Sequence, residues 1–246
     1  MIKFASGLLS TFALIVGLLC LSAISSEAAF AQAEQQIKTE IQKKLGSNAK
    51  IRSVTAAPVT GLYEVLVGNE IFYTDSSGKY LIQGEIIELA SGRNITEQRQ
   101  ADLNRIKWSD LNQANAFKSV RGNGQRQLAI FSDPNCGYCK RLEKSLQQLD
   151  NVTIYTYLIP ILSPDSAQKS KQIWCSTDPY KSYIDWMING TVPTGKTDCS
   201  NPLEKNLAFA KAYGVTGTPT LFFTDGSRFP GAVQVSDIEK KLNSLK

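Results

Sequence analysis

Cys136 and Cys139 stand three positions apart, at the point where one local sequence pattern gives way to another. Leu128 to Phe131 is an apolar run of strand length, and Leu142, Leu146 and Leu149 then recur on one helical face. Between them Asp133, Pro134 and Asn135 are turn and helix-start residues, which puts Cys136 at a helix N-terminus. Unpaired backbone N–H groups and about half a unit of positive charge face a side chain there. Both favour thiolate over thiol, and cysteines so placed show pKa values of roughly 3.5–7.5 against about 8.5 when free. Cys139, one helical turn on, is near enough to attack a mixed disulfide formed at Cys136.

Two duller readings of the pair are weaker. Half of a zinc site would need a second ligand pair, but Cys175 and Cys199 lie two dozen positions apart and the chain has no histidine. A purely structural bridge between Cys136 and Cys139 would close so small a loop that it constrains the unfolded chain little. The expectation is therefore a redox dithiol, with Cys136 as nucleophile and Cys139 as resolving thiol, and with no metal or other cofactor.

The N-terminus bears on where such chemistry would operate. Lys3 precedes a run from Leu8 to Leu21 interrupted only by Ser, Thr and Gly, and Ala29-Phe30-Ala31 offers the small residues a signal peptidase reads. Residues 1–31 read as a signal peptide cleaved near Ala31, and Cys20 leaves with it. Four cysteines remain, and an even count in an exported protein points to two disulfide-forming pairs. A net charge of +5 with the basic residues scattered gives no nucleic-acid signature.

Behind the leader, residues 32–92 read as a small α+β domain. Ile37, Ile41 and Leu45 mark a short helix over 34–45. Strands around Tyr63–Val67, Ile71–Tyr73 and Tyr80–Ile82 follow, separated by Gly and Asn turns. A unit this small has sheet edges to cover, by a second copy or by the rest of its own chain. Residues 93–125 read as a linker, a polar helix capped by Asn94 and running to about Ala116, then a loop through Gln125. From 126 to 246 the order is strand, helix, strand, helices over 166–213, strand, a hairpin turn at Asp225-Gly226, and a closing helix. That is a thioredoxin-like fold with a helical insertion.

Two further stretches belong to this domain. Pro219, just ahead of the apolar strand Leu221–Phe223, marks an edge, a strand start or a cis peptide; if cis, it leaves the Thr218 backbone free to pair with an extended substrate beside Cys136. Cys175 and Cys199 lack a helix-start Cys-x-x-Cys context, so a structural disulfide is expected rather than a second redox pair.

Together these pieces resemble the bacterial periplasmic disulfide isomerases of the DsbC/DsbG type. The matching residues are Phe131-Ser132-Asp133 before Cys136-Gly137-Tyr138-Cys139, then Ile173-Trp174-Cys175, Cys199 and Gly214-Val215-Thr216-Gly217-Thr218-Pro219. Ala56-Ala57-Pro58-Val59 and Ile82-Gln83-Gly84 resemble that family's N-terminal domain. The resemblance implies a cystatin-like dimerisation domain, a V-shaped homodimer, and two dithiols facing a cleft for misfolded, disulfide-containing exported proteins. It further implies a cis Pro219, a Cys175–Cys199 bond, substrate contacts from Thr218, Pro219 and Tyr138, and recharging by a membrane electron donor of the DsbD type. Gly137-Tyr138 is the dipeptide of the isomerase branch. The expected activity is reshuffling or reduction of wrong disulfides in the periplasm. A net thiol oxidase, a holdase chaperone with an incidental dithiol and a zinc-binding module are the rival readings.

Overall fold

The computed structural model of the chain describes residues 28–245. The leader reading therefore falls outside the described residues except at 28–31. The chain divides into two compact units at Gln100/Ala101.

In the first unit, helix α1 spans residues 28–45 and begins earlier than the expected start at 34, because Ala28, Ala29, Ala31 and Ala33 are strong helix formers. Its buried Ile37 and Ile41 pack on Val54 and Val65. These belong to a four-stranded antiparallel sheet, β1 (Ile51–Ala56), β2 (Leu62–Val67), β3 (Glu70–Asp75) and β4 (Leu81–Ile82), in that spatial order. A two-stranded ribbon, β5 (Ile87–Glu88) with β6 (Arg93–Asn94), leads into helix α2 (Ile95–Leu103). The Glu97 N–H donates to Asn94 Oδ1 at 3.0 Å, the cap expected from the sequence.

The remainder of the supposed linker helix is not helical. Beyond Leu103 the chain makes only single 3-10 turns at Trp108–Asp110 and Gln113–Asn115. Ile106 and Leu111 are both buried in the core of the second unit. Their five-residue spacing does not repeat on an α-helix, and the Ile106 N–H is taken by the Gly226 carbonyl at 3.1 Å. Gly226, at φ +81, must be glycine: a Cβ there would collide with the Ile106 carbonyl. Strand β7 (Phe117–Arg121) also lies inside the stretch read as linker, so the second sheet begins before the expected boundary at 126.

That sheet has the order β11-β10-β8-β9-β7. Strands β8 (Arg126–Ser132) and β9 (Val152–Leu158) are parallel and joined by helix α3 (Gly137–Leu146). β10 (Thr220–Phe223), β11 (Arg228–Pro230) and β7 add antiparallel. The centre of β8 is covered on both faces, as its continuous apolar run requires. Leu128 and Ile130 meet Leu142 and Leu146 of α3 and Ile238 and Leu242 of α7 (Val235–Asn243). Ala129 and Phe131 meet Tyr157, Phe222 and Ala210 of α6 (Leu203–Ala212). Each such fully buried Leu or Phe contributes about 1.5–3 kcal/mol.

The insertion supplies α4 (Pro164–Trp174) and α5 (Pro179–Asn189) ahead of α6. Ser163 and Asp178 cap α4 and α5, each followed by proline in the first turn. Ile173, Tyr183 and Met187 from this pair form a third core cluster with Leu158, Cys136 and Cys139. The insertion thus walls one side of the dithiol.

Candidate active site

Cys136 is the N-cap of α3, with extended backbone at φ −75 and ψ 115, and its Sγ accepts from the Cys139 N–H at 3.3 Å. The turn before it is over-determined. Buried Asp133 accepts from the Asn135 N–H at 2.8 Å through one carboxylate oxygen, while its carbonyl accepts from the Cys136 N–H at 3.0 Å. Its other carboxylate oxygen takes the N–H groups of Ile161 and Leu162 at 2.9 and 3.0 Å. Trp186 Nε1 donates to the Pro134 carbonyl at 2.6 Å. A side chain on a turn held this way has little freedom left to lose.

Both thiols are free. They are split far apart in acidity. The Cys136 pKa is drawn down from its ordinary 9.0 to about 5, chiefly by hydrogen bonding from the Cys139 thiol. Partial burial opposes this, and the Thr218 side chain and the backbone N–H groups of Cys139 and Tyr138 assist it. Cys139 is pushed well above the thiol range, first by burial and then by its bond to Cys136. Of the two sulfurs Cys136 is thus the one that ionises first, and Cys139 holds its proton.

The Thr218–Pro219 peptide is cis, and β10 starts at the next residue. The Thr218 carbonyl accepts from the Cys136 thiol at 3.2 Å. Its hydroxyl is buried without a hydrogen-bond partner in this neutral-thiol arrangement, although the side chain favours the ionised sulfur. Tyr138, in the first turn of α3, is 59% exposed, and Ile161 and Leu162 are exposed on the loop fastened to Asp133.

Cys175 and Cys199 are bonded to each other across 24 positions, with Cα atoms 5.7 Å apart. The structure therefore gathers Cys136, Cys139, Thr218 and Pro219 in one place and sets the other two cysteines in a separate bridge.

Several residues of the site escaped sequence reasoning. Asp133 was legible as a turn former but not as the anchor of the 161–162 loop, since that bond crosses 28 positions. Trp186 was silent for the same reason. Glu143 carried a usable signal: it lies four residues after Cys139 and beside Leu142, on the buried face of α3. A charged residue on the apolar face of a helix is rare without a partner or a task.

Comparison with known proteins gives a consistent result. Residues 27–97 match the family model described as the disulfide bond isomerase protein N-terminal domain, and residues 113–246 match the thioredoxin-like domain. A probable thiol:disulfide interchange protein DsbC of Bordetella parapertussis is 39% identical over 214 residues, covering 86% of this chain and 76% of that protein. The thiol:disulfide interchange protein DsbC of Escherichia coli is 26% identical over 223 residues, covering 87% of this chain and 90% of that one. The crystal structure of a disulfide interchange protein from Neisseria gonorrhoeae is 38% identical. It aligns with a TM-score of 0.52 over 55% of this chain and 97% of that chain.

Proposed function

The chain belongs to the DsbC-type thiol:disulfide interchange proteins, thiol–disulfide oxidoreductases with a thioredoxin-like domain, and from that premise we propose how its own residues divide the work. Cys136 is the nucleophile and Cys139 the resolving thiol. Its thiolate attacks one sulfur of a wrong disulfide; the Cys136–substrate bond forms, the substrate bond breaks, and the second substrate sulfur leaves as a thiolate. A different substrate thiolate can then displace Cys136, which reshuffles the pairing and returns the enzyme unchanged. Alternatively Cys139 attacks Cys136, releasing a reduced substrate and an oxidised dithiol that a membrane donor of the DsbD type recharges.

The observation that carries this reading is the Cys136 sulfur at the mouth of α3, ionised near pH 5, with Cys139 buried and protonated behind it. A stable thiolate is both the attacking species and a good leaving group, so the mixed disulfide at Cys136 stays exchangeable. Thr218 and Pro219 line the approach to Cys136, and the exposed Tyr138 offers apolar surface to an unfolded chain.

Export with cleavage near Ala31 places the work in the periplasm, where disulfides form and persist. Among the described residues no helix is long and apolar enough to cross a membrane. A homodimer through the first unit is supported by the apolar side chains Tyr80, Leu81, Ile82 and Leu89, which it leaves exposed. The test is to give the reduced protein a scrambled, disulfide-bonded substrate and follow recovery of native pairing together with adducts at Cys136. Oxidation of substrate thiols without reshuffling, or native recovery with no adduct at Cys136, would overturn the reading.

A further inference from the structure

The start of α3 carries two cations where a helix tolerates them least. Lys140 and Arg141 are its fourth and fifth residues, its first turn holds no acidic residue, and the positive end of a helix disfavours added positive charge. Each cation lies on an aromatic ring. Lys140 Nζ sits 3.8 Å from the centre of the Trp186 ring of α5, and the Arg141 guanidinium 4.9 Å from that of Tyr138. Lys169 of α4 approaches the Trp186 ring as well, at 5.0 Å.

The two lysines differ in what answers their charge. Lys169 pairs with Asp165, and the same Asp165 oxygen accepts from Asn135 Nδ2 at 2.7 Å. Among the described residues Lys140 forms no ion pair; burial and then Lys169 lower its pKa, with no acidic group to offset them. Asp133, the carboxylate of the neighbouring turn, is fully buried and taken up by three backbone N–H groups. Three effects therefore oppose the charge on half-buried Lys140: desolvation, a like charge on the same ring, and the helix end beneath it. The Trp186 ring holds the ammonium in place without cancelling its charge.

This uncancelled charge stands beside the nucleophile. The Lys140 backbone N–H donates to the Cys136 carbonyl at 3.1 Å, one turn back, and helical side chains lean toward the N-terminus. Trp186, under the ammonium, donates its indole N–H to the Pro134 carbonyl at 2.6 Å, two residues before Cys136. We propose that Lys140, seated on Trp186 and backed by Lys169, is a subsite for a carboxylate side chain of the substrate polypeptide, borne near the cysteine whose disulfide Cys136 attacks. This rests on the assignment of Cys136 as nucleophile described above. A carboxylate brought to Lys140 answers all three opposing effects at once, and a partly desolvated ammonium binds it more strongly than a free one does. An extended chain advances about 3.3 Å per residue, so two residues span the helical turn of about 5.4 Å between Cys136 and Lys140. Arg141, on exposed Tyr138, extends the same field outward, drawing acidic segments in and holding basic ones off.

The experiment uses the full reduced chain and symmetric disulfides of a short peptide with one cysteine and a glutamate, glutamine or lysine two positions from it. Formation of the Cys136–peptide adduct is quenched by acid and counted by mass spectrometry. The natural protein should react about 2–5-fold faster with the glutamate peptide than with the glutamine peptide, and slower by a similar factor with the lysine peptide; both differences should shrink as salt is added. Lys140→Gln should bring the ratio of glutamate to glutamine rates to one, and Lys140→Arg, which keeps a cation on the ring, should restore the preference. Lys144→Gln removes the same charge from the last turn of α3 and should leave the preference as it is. Equal rates for the three peptides in the natural protein would overturn the subsite. So would loss of the preference in Lys144→Gln, since the field of the whole helix would then be its cause, and so would uniform slowing in Lys140→Gln with the ratio kept, which marks a structural role. Should the natural protein form no adduct at Cys136 even with the glutamine peptide, the nucleophile assignment fails, and the subsite with it.

Discussion

The two cysteine pairs of the second unit occupy opposite ends of helices. Cys136 caps the N-terminus of α3 and Cys175 caps the C-terminus of α4. The first end offers N–H groups and positive potential, which stabilise a thiolate; the second offers carbonyls and negative potential, which do not. Cys136 is accordingly a free thiol of depressed pKa, while Cys175 is bonded to Cys199 on the segment ahead of α6. The same side chain is a free, acidic thiol in one place, held by a second thiol and by backbone N–H groups, and a staple in the other.

The comparison can be broken most directly by removing one member at a time. Cys136→Ala should reduce disulfide interchange to the uncatalysed background, whereas replacing Cys175 and Cys199 together by alanine should leave it standing; equal losses in a scrambled-substrate assay would erase the distinction. Cys139→Ala should accumulate the covalent adduct at Cys136. It should also raise the Cys136 pKa from about 5, because the largest cause of its depression is gone. The ultraviolet absorbance of the thiolate, followed against pH, measures this.

Stability against pH sharpens the contrast. The folded-state pKa of Cys136 is lowered, so its ionisation stabilises the reduced protein fully above the unfolded thiol value of 9.0 and contributes nothing once pH falls through about 5. The oxidised protein has no such group, so denaturant titrations should show the advantage of the reduced form shrinking across that window. Glu143 has the opposite sign: its raised pKa favours the folded state below 4.5, and that contribution is lost as pH rises through about 7. The smallest effect is expected at the structural pair. Losing the 24-residue bridge should cost about 3 kcal/mol by loop entropy, or about 6–12 °C in melting temperature for a chain of this size. The Cys136 titration should not move.

What could be read in advance follows the range of the forces involved. Asp133-Pro134-Asn135 announces the helix start that holds Cys136 because capping and turn formation act within a few residues. Asn94 announces the start of α2 for the same reason, but not its end: the chain leaves the helix after Leu103 when Ile106 is drawn to the carbonyl of Gly226, 120 residues away. β7 escaped notice because an edge strand reading Phe117-Lys118-Ser119-Val120-Arg121 has only one buried residue, Phe117, and its apolar residues fall three positions apart and not on alternate ones. Pro219 left edge, strand start and cis peptide all open; in the structure its peptide is cis and β10 starts at the next residue.

By itself the sequence determined which sulfur sits at a helix mouth and the order of strands and helices, from β8 onward, that makes a thioredoxin-like domain. These rest on local dihedral preference, capping and hydrophobic period, which act over one or two turns of chain. Only the tertiary structure decided what surrounds the sulfurs: the Thr218 carbonyl, the anchored 161–162 loop, and the hydrogen bonds of Tyr183 to Ser132 and Glu143. Burial, the hydrogen bond between the two thiols and the Thr218 side chain, 82 positions from Cys136, set the acidities that separate Cys136 from Cys139, and burial exists only once the core has closed around them.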